Sequence, residues 1–237
     1  MNQADIVLIS DPRVLAIAIK DNNDTLANLE TFPDLKIDRR KSSSSNPFHY
    51  LRTLTVYKLL DVQSSLPSGI KLLIIEGYRP LSLQKEYFEE YINELKKKYP
   101  DWPEEKLNIE ASKYVAPPSI IPPHSTGGAI DLTLCNSEGR ELDMGTSINT
   151  NPEESDNACF TGAENISKGA RENRNILIDA MTKHGFINYP TEWWHWSYGD
   201  RYWAYMTHQE VALLGSIELN LFEHRPTLPA STQKAPS

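Results

Sequence analysis

A chain of 237 residues, 39% of them hydrophobic, can bury a full core, and its length fits one domain with a decorated end better than two independent ones. The net charge of −8 argues against a nucleic-acid binder, since the nearest thing to a basic patch, Arg39-Arg40-Lys41, adjoins a serine run and reads as a solvated loop. With only Cys135 and Cys159, a disulfide framework is neither needed nor indicated, and both read as ordinary thiols without the close spacing of a structural zinc site.

The opening Met1-Asn2-Gln3-Ala4-Asp5 has no basic n-region, and the apolar run 6–9 is too short for a signal peptide. No stretch approaches the roughly 18 apolar residues of a membrane span. The expectation is a cytoplasmic protein with no membrane partner, or a periplasmic one if a leader was removed. Residues 6–9 and 14–19 read as short strands around the turn Ser10-Asp11-Pro12, part of an N-terminal edge over 1–45. The serine run 42–45 reads as a mobile loop. Asn46 then caps a helix with Pro47 in its first turn, its apolar stripe being Leu51, Leu54 and Leu59. His49, in that turn, reads as a surface or half-buried histidine.

The run 70–75 is nearly all apolar and predicts a central strand that delivers Tyr78-Arg79-Pro80 at its end. An arginine held there can meet a carbonyl or a carboxylate; it can equally be a plain helix-entry salt bridge. Leu83, Tyr87, Tyr91 and Leu95 recur every four residues, which predicts an amphipathic helix over 81–99 with this stripe in the core and Lys96-Lys97-Lys98 at its negative end. A second helix is expected over 104–114. The proline-stiffened stretch 116–123 then leads to His124.

In His124-Ser125-Thr126-Gly127-Gly128-Ala129-Ile130-Asp131 two potential metal ligands stand seven apart across a Gly-Gly pair. The following 129–134 alternate and β-branch like a strand entering a core, so His124 belongs to a loop and Asp131 to a strand. A hydrolytic zinc site takes three protein ligands and leaves a fourth position for water. The third ligand is sought in Glu192-Trp193-Trp194-His195. A straight strand would turn Glu192 and His195 to opposite sides, whereas a bend or one helical turn brings both to one side. His195 can then bind metal while Glu192 stands beside the metal's water as general base.

The segment 124–134 and Glu192-Trp193-Trp194-His195 together resemble the two signatures of the VanX-type D-alanyl-D-alanine dipeptidases. These zinc peptidases are related to D-alanyl-D-alanine carboxypeptidases and to the hedgehog domain. Glu76-Gly77-Tyr78-Arg79-Pro80 is a third match, and the resemblance covers about residues 45–205. It implies that His124, Asp131 and His195 hold one Zn²⁺ per chain, that Glu192 and Arg79 are catalytic, and that the substrate is a small dipeptide, D-alanyl-D-alanine, of peptidoglycan metabolism. A His2Asp set also accepts other divalent ions. Ser125, Trp194 and Asn149 are candidate substrate-binding residues. Asn149 marks a departure: where the family usually carries Met-Gly-x-x-Phe-Asp, with the aspartate pairing the substrate's ammonium, this chain reads Met144-Gly145-Thr146-Ser147-Ile148-Asn149. Pro122 and Pro123 likewise stand where a hydroxyl-bearing residue is expected. Relaxed stringency follows unless Asp143, Glu153, Glu154 or Asp156 supplies the charge.

After the strand, Asn136-Ser137-Glu138-Gly139 predicts a hairpin turn with 141–144 returning, and 147–163, polar and aperiodic, reads as a lid or substrate loop. A helix is expected over 167–184 with Ala170, Leu177 and Met181 inward and Gly185 as C-cap, His184 serving its dipole. Residues 186–189 and 193–198 read as paired strands, and Trp193, Trp194, Trp196, Tyr198, Tyr202 and Trp203 as mostly core, with one or two rings walling a pocket. A last helix is expected over 205–214 and a disordered tail over 225–237. The fold expected is a single α+β domain, 1–224 with its catalytic core over about 46–205: a central, mainly antiparallel sheet carries the zinc ligands on one face and helices on the other. Two other functions stay open, a D-alanyl-D-alanine carboxypeptidase acting on peptidoglycan peptides and a non-catalytic zinc-binding module.

Overall fold

In chain order the elements are α1 (Pro12–Leu15), β1 (Ala18–Ile19), β2 (Leu26–Asn28), β3 (Lys36–Ile37), β4 (Tyr50–Arg52), α2 (Thr53–Ser65), β5 (Ile70–Glu76), α3 (Leu81–Lys98), α4 (Glu104–Ala111), β6 (Ala129–Asn136), α5 (Lys168–Lys183), β7 (Ile187–Asn188), β8 (His195–Ser197), α6 (Arg201–Met206) and β9 (Val211–Ala212). This computed structural model describes residues 6–40, 46–112 and 115–219. The serine run 42–45, the end of the expected helix at Tyr114 and the tail 225–237 lie outside the described residues.

The centre is a five-stranded sheet in the order β3-β5-β6-β8-β7, antiparallel throughout except for the parallel β3–β5 pair. Two small pairs, β1 with β9 and β2 with β4, stand outside it. Because side chains alternate along a strand, β6 divides its residues between two faces. Ile130, Leu132 and Leu134 join one core with Val56, Leu59 and Val62 of α2 and Leu177, Ala180 and Met181 of α5. Asp131, Thr133 and Cys135 point the other way. Burial of this apolar set is the main stabilising term, at about 1.5–3 kcal/mol for each fully covered large side chain. The expected α+β architecture is observed, with one refinement. α3 and α4 share a seam of their own (Phe88, Leu95, Leu107, Ala111), and α3 walls the ligand-bearing side.

α5 begins where Ser167 caps it, its hydroxyl accepting from the Ala170 N–H at 3.0 Å, and ends at Gly185 with φ 85°. Its Arg174 is buried and donates to three carbonyls, those of Met144, Ala158 and Phe160, each at 2.7 Å. Trp193 adds a bond from its indole N–H to Thr146 Oγ1 at 2.8 Å. The expected lid loop over 147–163 is therefore pinned to the body of the protein by one helix. Only its stretch around Asn149–Pro152 reaches the cleft described below.

Several sequence-based boundaries need correction. Residues 6–8 form no strand, and the stretch after them is a helical turn, since Asp11 accepts from the Arg13 N–H and Pro12 sits at its first position. Residues 46–52 are not the start of α2. A 3-10 turn over Pro47–His49 and strand β4 come first, so Leu51 packs from a strand. His49 is buried beside Glu30, 3.2 Å away, rather than exposed. The hairpin return shrinks to a single bridge between Cys135 and Glu141. The last helix, α6, lies over 201–206, because Asp200 caps it through the Trp203 N–H at 2.8 Å, and residues 211–212 are strand.

Candidate metal and catalytic site

The sheet register brings the candidate ligands together. Asp131 on β6 stands directly opposite His195 on β8, so a hydrogen-bonded ladder sets their spacing. His124 comes from a 3-10 turn over Pro123–Thr126 that ends at Gly127, whose φ of 71° is a left-handed value that side chains disfavour. Gly128 is required for a different reason: a Cβ there would lie 2.3 Å from the Tyr198 carbonyl oxygen. The two glycines thus serve, respectively, a turn and a close approach that seats the loop on the bend just after β8.

His124 Nε2, His195 Nδ1 and Asp131 Oδ1 form a triangle with sides of 3.0 Å (His195–Asp131), 3.2 Å (His124–His195) and 3.4 Å (His124–Asp131). Ligands about 2.0–2.1 Å from a tetrahedral zinc stand about 3.3 Å from one another, so the triangle has the size such an ion requires. The ring orientation agrees. His124 Nδ1 lies 2.7 Å from the Gly77 carbonyl, to which it donates, leaving Nε2 free to ligate. Burial alone would raise the Asp131 carboxyl, but the two imidazoles at its oxygen hold it well below the ordinary carboxylate range. Among the described residues this is the group of histidines, cysteines and carboxylates that can hold a metal ion.

Glu192 and His195 are joined by a turn, closed by the His195 N–H donating to the Glu192 carbonyl at 3.2 Å and braced by Asn188, whose amide donates to the carbonyls of both residues at 3.0 Å. Of the geometries the sequence allowed, a single hydrogen-bonded turn is the one observed. It places Glu192 Oε2 3.9 Å from His195 Nδ1 with the side chain 21% exposed, at the wall of the cleft. Burial pushes the Glu192 carboxyl up to about 7, Asp131 and Glu76 adding to this while His195 and Arg79 oppose it. A carboxyl poised there both takes up and releases protons near neutrality.

The site opens into a cavity of about 430 Å³ lined by Arg79, Tyr87, His124, Asp131, Glu192 and His195 among others. A second cavity of about 240 Å³ adjoins it, walled by Asn149, Glu94, Trp194 and Glu192. Trp193, Trp194 and Trp196 all belong to the core, and Trp194 also lines this second cavity. Ser125 does not line either. Its hydroxyl donates to the Arg79 carbonyl at 2.8 Å, which makes it a support for Arg79. Of the stripe expected in the core, Tyr87 faces the cleft, and Tyr91 both lines the cleft and packs on the α3–α4 core, whose buried residues on α3 are Phe88 and Leu95. Of the four carboxylates considered as partners for an ammonium, Asp143 accepts from the Gly145 N–H and from Ser167, and Glu153 is paired with Lys98. The carboxylates beside Asn149 are Glu94 and Glu192.

Glu76 and Gln84 are the site residues that the sequence did not reveal. Glu76, which opens the third motif match but carries no role there, ends β5 just past the apolar run 70–75, and a bulge between Ile74 and Glu76 sets it opposite Asp131 across the ladder. It receives Arg79 Nε at 2.5 Å, while Gln84 Oε1 receives Nη1 at 2.8 Å. Burial lowers Arg79, and the charge of Glu76 more than offsets this, so the guanidinium is held firmly charged.

Comparison with known proteins gives the family. The model of a D-Ala-D-Ala dipeptidase family matches residues 54–212. A D-alanyl-D-alanine dipeptidase of Synechocystis sp. is 30% identical over 237 residues, covering 86% of this chain and 96% of that protein. The chain belongs to the D-Ala-D-Ala dipeptidase family. It is accordingly a peptidase, a metallopeptidase tied to D-alanyl-D-alanine processing in peptidoglycan metabolism. A second D-alanyl-D-alanine dipeptidase of the family, from Escherichia coli, is 31% identical over 128 residues, 54% of this chain and 55% of that protein. A solved structure described as VanYB in complex with D-Alanine-D-Alanine aligns over 81% of this chain and 93% of its own at 18% identity and a TM-score of 0.45, a likeness too distant to carry an argument.

Proposed function

We propose that this dipeptidase-family chain hydrolyses D-alanyl-D-alanine to two D-alanines in a zinc-dependent reaction, with Glu192 as general base and acid. The observation that carries the reading is the convergence of three donor atoms at tetrahedral spacing with the Glu192 carboxylate 3.9 Å from one of them at the wall of the cleft. His124, Asp131 and His195 would hold a zinc ion, which would supply a Lewis acid able to acidify water and polarise a carbonyl. Glu192 takes a proton from the attacking water as its oxygen bonds to the scissile carbon. It then delivers that proton to the nitrogen as the C–N bond breaks, so one water is consumed and two amino acids leave. Arg79, lining the same cavity, donates to the oxygen that becomes negative in between, and a positioned donor of this kind contributes about 10²–10³-fold to rate. Tyr87 and the aromatic walls exclude bulk water, which strengthens each of these interactions. The place of action we propose is the cytoplasm.

The test is an amino-acid release assay with D-alanyl-D-alanine, its L,L isomer and longer muropeptides, each with and without chelator. Release of D-alanine from the dipeptide alone, abolished by chelator and restored by zinc, is the expected result. Preference for the muropeptides would make the protein a carboxypeptidase, and no release from any of them would make it a binding module.

A further inference from the structure

Arg79 is held at two of its three guanidinium nitrogens. Glu76, at the end of β5, accepts from Nε and its side chain is wholly buried. Gln84, in the first turn of α3 and 1% exposed, takes Nη1 through Oε1 and passes on a second bond, from Nε2 to the Ala116 carbonyl at 2.7 Å. That pair of contacts fixes the amide without ambiguity: an arginine can only donate and a carbonyl can only accept, so the oxygen must face Arg79 and the nitrogen Ala116. A glutamate would set a carboxylate against the carbonyl, and an apolar side chain would leave both groups unpaired in a buried place. Ala116 opens the proline-rich stretch that ends at His124. The Arg79 backbone joins the same turn, its N–H donating to the His124 carbonyl at 3.2 Å. The guanidinium, the first metal-site histidine and the wall of the cleft are thus tied into one unit.

We infer that Glu76 and Gln84 are positioning residues which clamp the Arg79 guanidinium in the one orientation that meets the developing oxyanion. An arginine side chain released from such a clamp regains rotamer freedom, and a donor displaced by an ångström loses much of its effect on rate. The inference rests on the proposed role of Arg79, and the experiment separates the two. kcat and KM for D-alanyl-D-alanine are measured in wild type, Arg79→Ala, Gln84→Met and the double variant, with zinc content and thermal midpoint recorded for each. Expected are a fall in kcat of about 10²-fold for Arg79→Ala, about tenfold for Gln84→Met with KM within about twofold, and a double variant no worse than Arg79→Ala. A merely structural Gln84 would lower the thermal midpoint and multiply its loss with that of Arg79→Ala, and this result overturns the clamp alone. A wild type that releases no D-alanine, or an Arg79→Ala that matches it, overturns the role of Arg79 and the clamp with it. Should Gln84→Met not fold, the same cycle with Glu76→Gln carries the same expectations.

Discussion

The two sides of the cleft are built by different means. On the metal side, Asp131 and His195 are cross-strand neighbours in a continuous ladder, and their spacing follows from backbone hydrogen bonds that any side-chain change leaves in place. On the opposite side, α3 has a small core of its own with α4, and the stretch around Asn149 hangs from Arg174 and Trp193. Backbone register fixes positions to fractions of an ångström, whereas a wall held by side chains can vary from one relative to another without disturbing the ligands. Under the proposed function the metal chemistry belongs to the first side and selectivity to the stretch around Asn149 on the second, with Gln84 of α3 reaching back to Arg79, so substitutions of the metal-site residues and of that stretch should separate cleanly.

The largest effect is expected on the metal side. Glu192→Gln should lower kcat by about 10²–10⁴-fold, the contribution of a positioned general base, while about one zinc per chain remains by atomic absorption. His195→Ala or Asp131→Ala should instead lose the metal. Zinc loss in Glu192→Gln would show that Glu192 is a ligand, and the division of roles would be wrong.

Next in size is a stability effect on the other side. Arg174→Met removes the donor of three buried carbonyls and should lower unfolding free energy by about 2–4 kcal/mol, read as a shift of the urea midpoint. The zinc stoichiometry of the folded variant should not change. If metal is lost as well, the two sides are coupled and the comparison fails.

Acid dependence gives a smaller, graded effect. Because Glu192 must start as a carboxylate, and burial raises it to about 7, kcat/KM should fall about tenfold per pH unit on the acid side. A bound cation pulls that carboxyl downward, so the limb belongs at or below about pH 7 and should vanish in Glu192→Gln. A limb that persists in that variant has another owner.

What could be read in the sequence follows the same division. His124, Asp131, Glu192 and His195 were legible because their motif spacing is imposed by a turn, a strand and a second turn, each with its own local signals. The α3 wall was legible in part. Of the stripe Leu83, Tyr87, Tyr91 and Leu95, Leu95 is buried against α4 and Tyr91 packs at the edge of that core, while Gln84 and Phe88, one position on from Leu83 and Tyr87, are the residues that go inside. Gln84 has no apolar signature, and the bulge that turns Glu76 toward Asp131 leaves no mark in the apolar run 70–75. The three-residue strand β4 was hidden for a related reason, since the proline at 47 reads equally as a helix start and as a 3-10 turn.

The smallest effect concerns the substrate's ammonium. Asn149 has φ 64°, a left-handed value that asparagine tolerates, and it shares the second cavity with Glu94. A hydrogen bond to a charged group contributes about 1.5–3 kcal/mol against about 1 for a neutral one, so an uncharged Asn149 should leave discrimination for a free amino terminus about tenfold weaker than an aspartate would. Comparing kcat/KM for D-alanyl-D-alanine and its N-acetyl derivative measures that discrimination. Asn149→Asp should widen the ratio about tenfold, because it adds the charge at the cleft wall, and Glu94→Gln should narrow it if α3 supplies part of the field that draws the ammonium in. Zinc content and the Glu192 acid limb should stay as in wild type in both variants. A wild type that already rejects the acetylated dipeptide by more than about a thousandfold, unchanged by either substitution, would mean that the ammonium is held from the metal side, and selectivity would no longer belong to the opposite wall.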